Sequence, residues 1–357
     1  MSSSSVLAAP VAPTAKQQRS PHRHLMLPML GGATLLAFVV ALGVGPVVIG
    51  PGDTIVALWR AAFGGADVAN ALVITEVRLP RAILAVLGGA GLAIAGAAMQ
   101  AYFRNPLADP GVTGVASGAA VGAVTVLVLG FSALGPWTIP VAAFAGALGV
   151  LVLIQAVSLL SHDRGITTVL LLGVAVNAFC GALTGAIIAN ADDSQSVRGA
   201  MFWLQGDLTA ASWRDIGLAS LPVVAGITVL LFMSRELNAL LLGDETAGSI
   251  GVDVGRVRLV ILVVASAVVG SVVAVTGVIG FVGLVAPHIV RMLLGGDHRL
   301  LLPGSALLGA LFLLAADTVA RLAPAGTSWQ TGIVTALVGS PLFFWLVLRG
   351  RRGRSSL

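Results

Sequence analysis

Residues Met99 to Gly122 read MQAYFRNPLADPGVTGVASGAAVG. An apolar run ends at Phe103, the next seven residues carry two prolines, an asparagine and an aspartate, and a run of small residues then begins. Pro106 and Pro110 lack N–H donors and oppose helix continuation, while Asp109 is placed to cap the helix that follows. The stretch reads as a helix, a hard break and a second helix.

The flanking runs belong to a chain of 357 residues that is 57% hydrophobic and only 10% charged. A soluble domain carries about 25% charged residues. Lipid solvation accounts for the difference, because each membrane helix needs roughly 20 apolar residues to cross about 30 Å of hydrocarbon. The expected fold class is therefore an all-α polytopic membrane protein. Apolar runs bounded by charge, Pro and Gly predict ten spans, near 25–50, 79–101, 111–131, 137–159, 166–189, 214–234, 257–276, 279–293, 301–320 and 331–348. The eighth is short enough to be tilted or partly re-entrant. Residues 1–24, rich in Ser, Ala and Pro, read as a disordered cytoplasmic tail, and 350–357 as a basic one. A cleaved signal peptide is the rival reading of the start. The apolar stretch from Leu25 to about Gly50 is too long for a signal core of roughly 7–15 residues.

Basic residues set the expected orientation. With an even number of spans both termini share one side, and placing that side in the cytosol puts 14 basic residues inside and 6 outside, the positive-inside bias. The arginines stand singly at the ends of apolar runs, which does not suit a nucleic-acid face. Gly114, Gly118 and Gly122 recur every fourth residue, as do Gly181 and Gly185, a spacing that lets a neighbouring backbone approach. A faint echo between RLPRAILAVL from Arg78 and RVRLVILVVA from Arg256 would suit an inverted repeat.

Several chemistries are missing. Lys16 is the single lysine and has no glycine-rich sequence around it, so the chain carries no ordinary P-loop for ATP. There is no HExxH, the five histidines are scattered, and Cys180 is alone, so no metal site or cofactor is expected. His288 reads as a hydrogen-bonding group at a helix end. No carboxylate stands near the centre of a span, where ion-driven carriers usually keep one. Asp317 lies near the outer end of the ninth, with Arg321 at the i+4 ion-pair spacing. Interior polar positions are the uncharged Gln100, Gln155 and Asn177. The path reads as neutral, with its energy source elsewhere.

RLPR (78–81), MQAYFRNPLADPGVTGVASGA (99–119), LNALLLGDETAGSIGVDVGRVR (237–258), GFVGLVAPHIVRMLLGGDHRLLLP (280–303) and LLAADTVAR (313–321) resemble, jointly and in order, the iron-chelate and cobalamin importer permeases. The resemblance runs from about residue 35 to 349. It implies a type II ABC importer permease fold with ten spans, a permease domain over 25–349, and an assembly of two permeases, identical or sister chains. Two cytosolic ATPase subunits and an external substrate-binding protein complete that assembly in the bacterial plasma membrane. It also implies that Asn105 and Leu107 of the N-P-L sequence lie at a cytosolic gate, which makes the opening break a fixed elbow at the inner mouth. The largest cytosolic loop, 237–256, corresponds to the element that contacts the ATPase. There LNALLLG and DETAGSIG read as two short helices, with Gly243, Asp244 and Glu245 opening the second. Ala247, Gly248 and Ser249 form a small-residue surface, and Gly251 suits the C-terminal end.

Outside, Arg60 and Arg321 match basic positions that pair with acids on the binding protein, and 190–208 is expected to hold a short outer helix. One departure stands out: the family's Glu-Leu-Pro-Val-Gly before the last span is Ser-Trp-Gln-Thr-Gly here, Ser328–Gly332. The resulting expectation is the permease subunit, not itself an enzyme, of an ABC importer for a ferric siderophore or haem. Cobalamin is the alternative cargo, and a stand-alone secondary carrier the rival class.

Overall fold

The computed structural model describes residues 23–63, 71–160, 166–323 and 329–352. The N-terminal tail to residue 22, Arg164, Ser328 and residues 353–357 therefore lie outside the described residues. Fourteen α-helices follow one another: α1 (Arg23–Gly43), α2 (Pro51–Phe63), α3 (Leu79–Tyr102), α4 (Val115–Val128), α5 (Thr138–Leu160), α6 (Ile166–Ala189), α7 (Ser194–Leu204), α8 (Trp213–Phe232), α9 (Ser234–Leu240), α10 (Asp244–Ser249), α11 (Val254–Thr276), α12 (Val282–Leu294), α13 (His298–Arg321) and α14 (Thr331–Arg352). Among the described residues seven helical stretches are long and apolar enough to cross a membrane, and the shorter apolar helices α4, α12 and α14 bring the set to ten. The expected ten-span, all-helical class is the fold observed.

Three boundaries differ from expectation, each for a local reason. The first span stops at Gly43 rather than near Gly50, because Gly45 and Pro46 interrupt it and a separate helix, α2, begins at Pro51. The second begins earlier, since a π-helical turn at Val73–Arg78 runs straight into α3. The third begins later. Pro110–Thr113 forms one turn of 3-10 helix, and Gly114, at φ +78°, turns the chain into α4, a backbone conformation that glycine adopts without steric cost.

Helix α3 is the centre of the bundle. In its most apolar stretch 78% of residues are buried, against 17% in α1 and in α6. Helices α8, α11, α12 and α13 pack round it, so the two segments of the faint internal echo, α3 and α11, are neighbours. Small residues make the contacts close, since between membrane helices van der Waals packing does most of the work. A Cβ on Gly96 would lie 1.9 Å from the Gly283 carbonyl oxygen, and one on Gly89 2.3 Å from that of Gly309. Gly118 and Gly122 likewise meet the α5 backbone, as the four-residue spacing predicts. Gly181 and Gly185 do not: among the described residues no other part of the chain comes within 4 Å of where their Cβ would stand, and they sit on the exposed face of α6.

Helix α12 has 13 residues, a length of about 20 Å at 1.5 Å per residue, short of the roughly 30 Å of a bilayer core. Its N-terminal Gly283 touches Gly96, six residues before the end of α3. The short eighth span thus starts well inside the bundle. The chain leading to it, 277–281, lies at membrane depth, packed on Trp203, Gly206 and Gly339.

Candidate functional site

At one end of the bundle the break that follows α3 meets the two short helices α9 and α10. Arg104 opens the break at φ +48°, and a left-handed non-glycine residue costs about 1–2 kcal/mol. Its bonds offset that cost: Nε donates to the Leu240 carbonyl at 2.9 Å, and a terminal nitrogen pairs with Asp244. Asn105 and Leu107 form one unit, because the Asn105 side-chain oxygen accepts the Leu107 N–H at 2.9 Å, an Asx turn. Both side chains are exposed, Leu107 by 42%. The expected gate pair therefore stands free of the bundle, on a turn whose first residue is fastened to the 237–256 segment.

Beyond Leu107 the chain does not stay at the surface. Asp109 accepts the Gly111 N–H at 2.7 Å, starting the 3-10 turn. Pro110 packs against Gly283 of α12, and Gly173 of α6 leaves room for the Val112 carbonyl, 2.1 Å from where its Cβ would stand. Asn177, eleven residues into α6, donates to the carbonyls of Gly111 and Val112 at 3.1 and 3.4 Å. That places the turn about 16 Å along α6 from its first residue. The elbow expected at the inner mouth is thus a wedge reaching to mid-membrane depth. His288 also serves it. The residue lies within α12 rather than at a helix end, with its ring beside the Pro106 backbone. Gln100 and Asn177 both act as ties: Gln100 donates to the Leu284 carbonyl at 3.4 Å and accepts from Arg291 at 3.1 Å.

The 237–256 segment forms two short helices, as read from sequence. Gly243 at φ +105° separates them, Asp244 and Glu245 lie in the first turn of α10, and Gly251 at φ +87° ends it. Ala247 corrects the expected small-residue surface. It is fully buried beneath α10, leaving Gly248 and Ser249 exposed beside the apolar Leu242 and Ile250, which are 61% and 60% exposed. Two ties not read from the sequence bind the segment to the bundle. Asp244 accepts from Arg258 of α11 at 2.9 Å as well as from Arg104. Asn238 of α9 donates to Asp297 at 2.7 Å and accepts from the backbone and ring nitrogens of His298 at 2.9 and 2.8 Å. Neither tie has a sequence signal, because each joins residues far apart in the chain.

The opposite end holds a cavity of about 760 Å³ with Arg78, Arg81 and Arg321 in its wall. Arg81 is paired with Asp317 at 2.8 Å, and Arg321 meets the same carboxylate at 3.3 Å, the expected i+4 pair. Arg321 also donates to the carbonyls of Ala41 and Val44, while Arg78 donates to those of Leu42, Gly43 and Val47. The two arginines satisfy the carbonyls at the end of α1, where positive charge is favoured. Arg321 is therefore a wall group with only 9% of its side chain exposed, unlike Arg60, which lies on exposed α2 beside Trp59 and Phe63. Among the described residues no three His, Cys, Asp or Glu side chains meet in a way that could hold a metal ion.

Residues 33–349 match the FecCD transport family. The chain belongs to that family. It is 45% identical over 315 residues to the cobalamin import system permease protein BtuC of Halobacterium salinarum, covering 87% of this chain and 83% of that protein. It is 44% identical over 283 residues to the hemin transport system permease protein HmuU of Yersinia pestis, covering 78% and 84%. A metal-chelate type ABC transporter solved in an inward-facing conformation superposes with a TM-score of 0.82 at 31% identity, over 91% of this chain and 99% of that one. The turn that departs from the family pattern is built into the same end of this FecCD chain as Asp317. Thr331 donates to Asp317 at 3.0 Å, and the Gly332 N–H to the Gly206 carbonyl at 2.9 Å. The short outer helix expected within 190–208 is α7, capped by Asp193.

Proposed function

We propose that this FecCD-family chain is the permease subunit of an ABC importer that moves an iron chelate, a ferric siderophore or haem, into the cytoplasm. In this reading two copies, or this chain and a sister chain, enclose the path, two ATPase subunits bind at the end carrying α9 and α10, and a substrate-binding protein docks at the other. Both termini lie in the cytosol, as the arginine distribution suggests. The observation that carries the reading is Asp244. One carboxylate on α10 holds Arg104 at the start of the gate turn and Arg258 at the start of α11, so displacement of α10 pulls directly on the segment bearing Asn105 and Leu107. ATP binding then selects one conformation through its different contacts with the two states, and the cargo undergoes no covalent change. Gly243 and Gly251 let α10 move as a unit, with Glu245, Gly248 and Ile250 presented to the ATPase.

Cobalamin is the second reading of the cargo, favoured by the 45% identity to a cobalamin permease. Purifying the cognate binding protein and recording the visible spectrum of the ligand it retains separates the two. A haem or ferric-chelate spectrum supports the iron reading, whereas a corrin spectrum replaces it with the second. Uptake by the permease alone in liposomes, driven by an ion gradient without ATP, would overturn both.

A further inference from the structure

We infer that Asn177 is a positioning residue that fastens the gate turn to α6, so that Asn105 and Leu107 follow α6 when it moves. The proposal deepens the gate reading and rests on it.

Non-helical backbone is tolerated at membrane depth only where protein or trapped water satisfies its polar groups. The Pro110–Thr113 turn meets that demand largely from within. Asp109 takes the Gly111 N–H, and Thr113 Oγ1 donates to the Pro110 carbonyl at 2.8 Å. The Gly111 carbonyl accepts the Gly114 N–H at 3.0 Å. Asn177 completes the set from a different helix, its amide nitrogen reaching the carbonyls of Gly111 and Val112. Its oxygen accepts from Ser117 Oγ of α4 at 2.6 Å. The amide thus joins three elements, the turn, α4 and α6, with donor and acceptor ends both used. A carboxylate could take the Ser117 bond but would face two carbonyls with no proton to give.

The rest of α6 shows why one side chain matters there. Apart from Asn177, the helix turns Val169, Gly173, Cys180 and Thr184 inward and leaves Leu171, Val174 and Phe179 at least half exposed. Its packing within the chain is against α4, α5 and the 3-10 turn. The other side of the turn rests on Gly283 of α12, which is locked to α3 through Gly96. The wedge therefore bridges the buried centre of the bundle and one of its two least buried long helices. On the centre side Pro110 rests on a glycine, a contact that can slide. On the α6 side it is a set of directed hydrogen bonds, which holds register.

The test uses the assembled permease–ATPase complex in liposomes, with Cys180→Ala as background and Leu107→Cys as reporter. The rate at which a membrane-impermeant maleimide labels the reporter from the ATPase side is measured with and without ATP. Asn177→Leu should raise the labelling rate in the closed state about fivefold, the factor that corresponds to about 1 kcal/mol for one net hydrogen bond. Asn177→Asp should do the same, and Asn177→Gln, which keeps the donor, should restore part of the protection. ATP hydrolysed per cargo molecule should rise in parallel. A structural role alone would lower the thermal midpoint without changing labelling in the molecules that stay folded. Unchanged labelling in folded Asn177→Leu complex would overturn the fastening. A reporter that ignores ATP even with Asn177 intact would instead overturn the gate assignment of Leu107.

Discussion

At one end of the bundle three arginines and Asp317 are shut inside the protein, with Asp317 wholly buried and Arg78 and Arg81 exposed by 5% and 7%. At the other end, beside α10, two arginines share Asp244, whose side chain is 45% exposed. The chemistry is the same and the physical consequence differs. Breaking a buried pair by removing one partner costs about 3–5 kcal/mol, because the remaining charge is left uncompensated. An exposed pair contributes about 1 kcal/mol or less, because water solvates either partner once released. The buried cluster therefore acts as a frame that fixes α1, α3, α13 and α14 together. The exposed one acts as a link that can be made and broken at low energetic cost.

Removing the buried carboxylate should produce the largest effect. Asp317→Ala leaves Arg81 and Arg321 without their partner and should destabilise the protein by about 3–5 kcal/mol, read as a steep fall in thermal midpoint in detergent and in recovered monodisperse protein. A midpoint near that of the unaltered protein would show that the buried cluster is not the frame. Thr331→Val removes a single bond to the same carboxylate and should cost about 1 kcal/mol.

At the α10 end the expected pattern is reversed. Asp244→Asn should shift the midpoint by the equivalent of about 1 kcal/mol or less, yet it should sharply reduce uptake while ATP hydrolysis continues. Unimpaired uptake would remove the link between α10 and the gate turn. Because Ala247 is buried, a charged residue there would report unfolding of α10. Ile250→Asp, on the exposed face, is the cleaner probe of ATPase contact and should weaken subunit association in a pull-down. At the outer surface Arg60→Glu should slow docking of the binding protein, with the difference shrinking as salt rises. Equal association rates at low salt would exclude Arg60 from that interface.

The smallest effect is local and depends on pH. Backbone hydrogen bonds from Gln195, then Ser196, hold the Asp193 carboxyl below its ordinary value. A depressed carboxylate pKa means the cap stabilises α7 at pH values above the unfolded pKa and is lost as pH falls through the folded one. Amide exchange in residues 194–198 should therefore quicken, beyond the intrinsic pH dependence, under acidic conditions that leave α13 protected. An unchanged protection factor would show that the cap does not hold α7.

Much of this architecture is legible in one dimension. Apolar runs longer than a bilayer demands, a proline-rich break after Phe103 and two glycines bracketing the 244–249 helix are local signals with local physical causes. Ten spans and two short helices follow from them. The family pattern added positions, Asn105 and Leu107 among them, whose exposure on one turn the fold then displayed. What could not be read was depth and direction. Pro106 and Pro110 announce that the helix stops, but only Gly173, Asn177 and Gly283 draw the following turn into the membrane. Ala247 is a small residue in a loop whichever way it faces, and burial alone separates it from Gly248. Arg321 carries the charge that suggests docking, and only the fold shows it held by the carbonyls at the end of α1 and by Asp317.

The sequence by itself determined that this chain lives in a bilayer, how many times it crosses and where its helices must break, because hydration and backbone geometry act over a few neighbouring residues. The tertiary structure alone decided which charges are buried, which turn wedges into the bundle and which carboxylate ties α10 to the turn after α3. Those outcomes depend on partners 60 to 240 positions away in the chain, such as Asn177 with Ser117 and Arg81 with Asp317, and only packing brings such partners within hydrogen-bond reach.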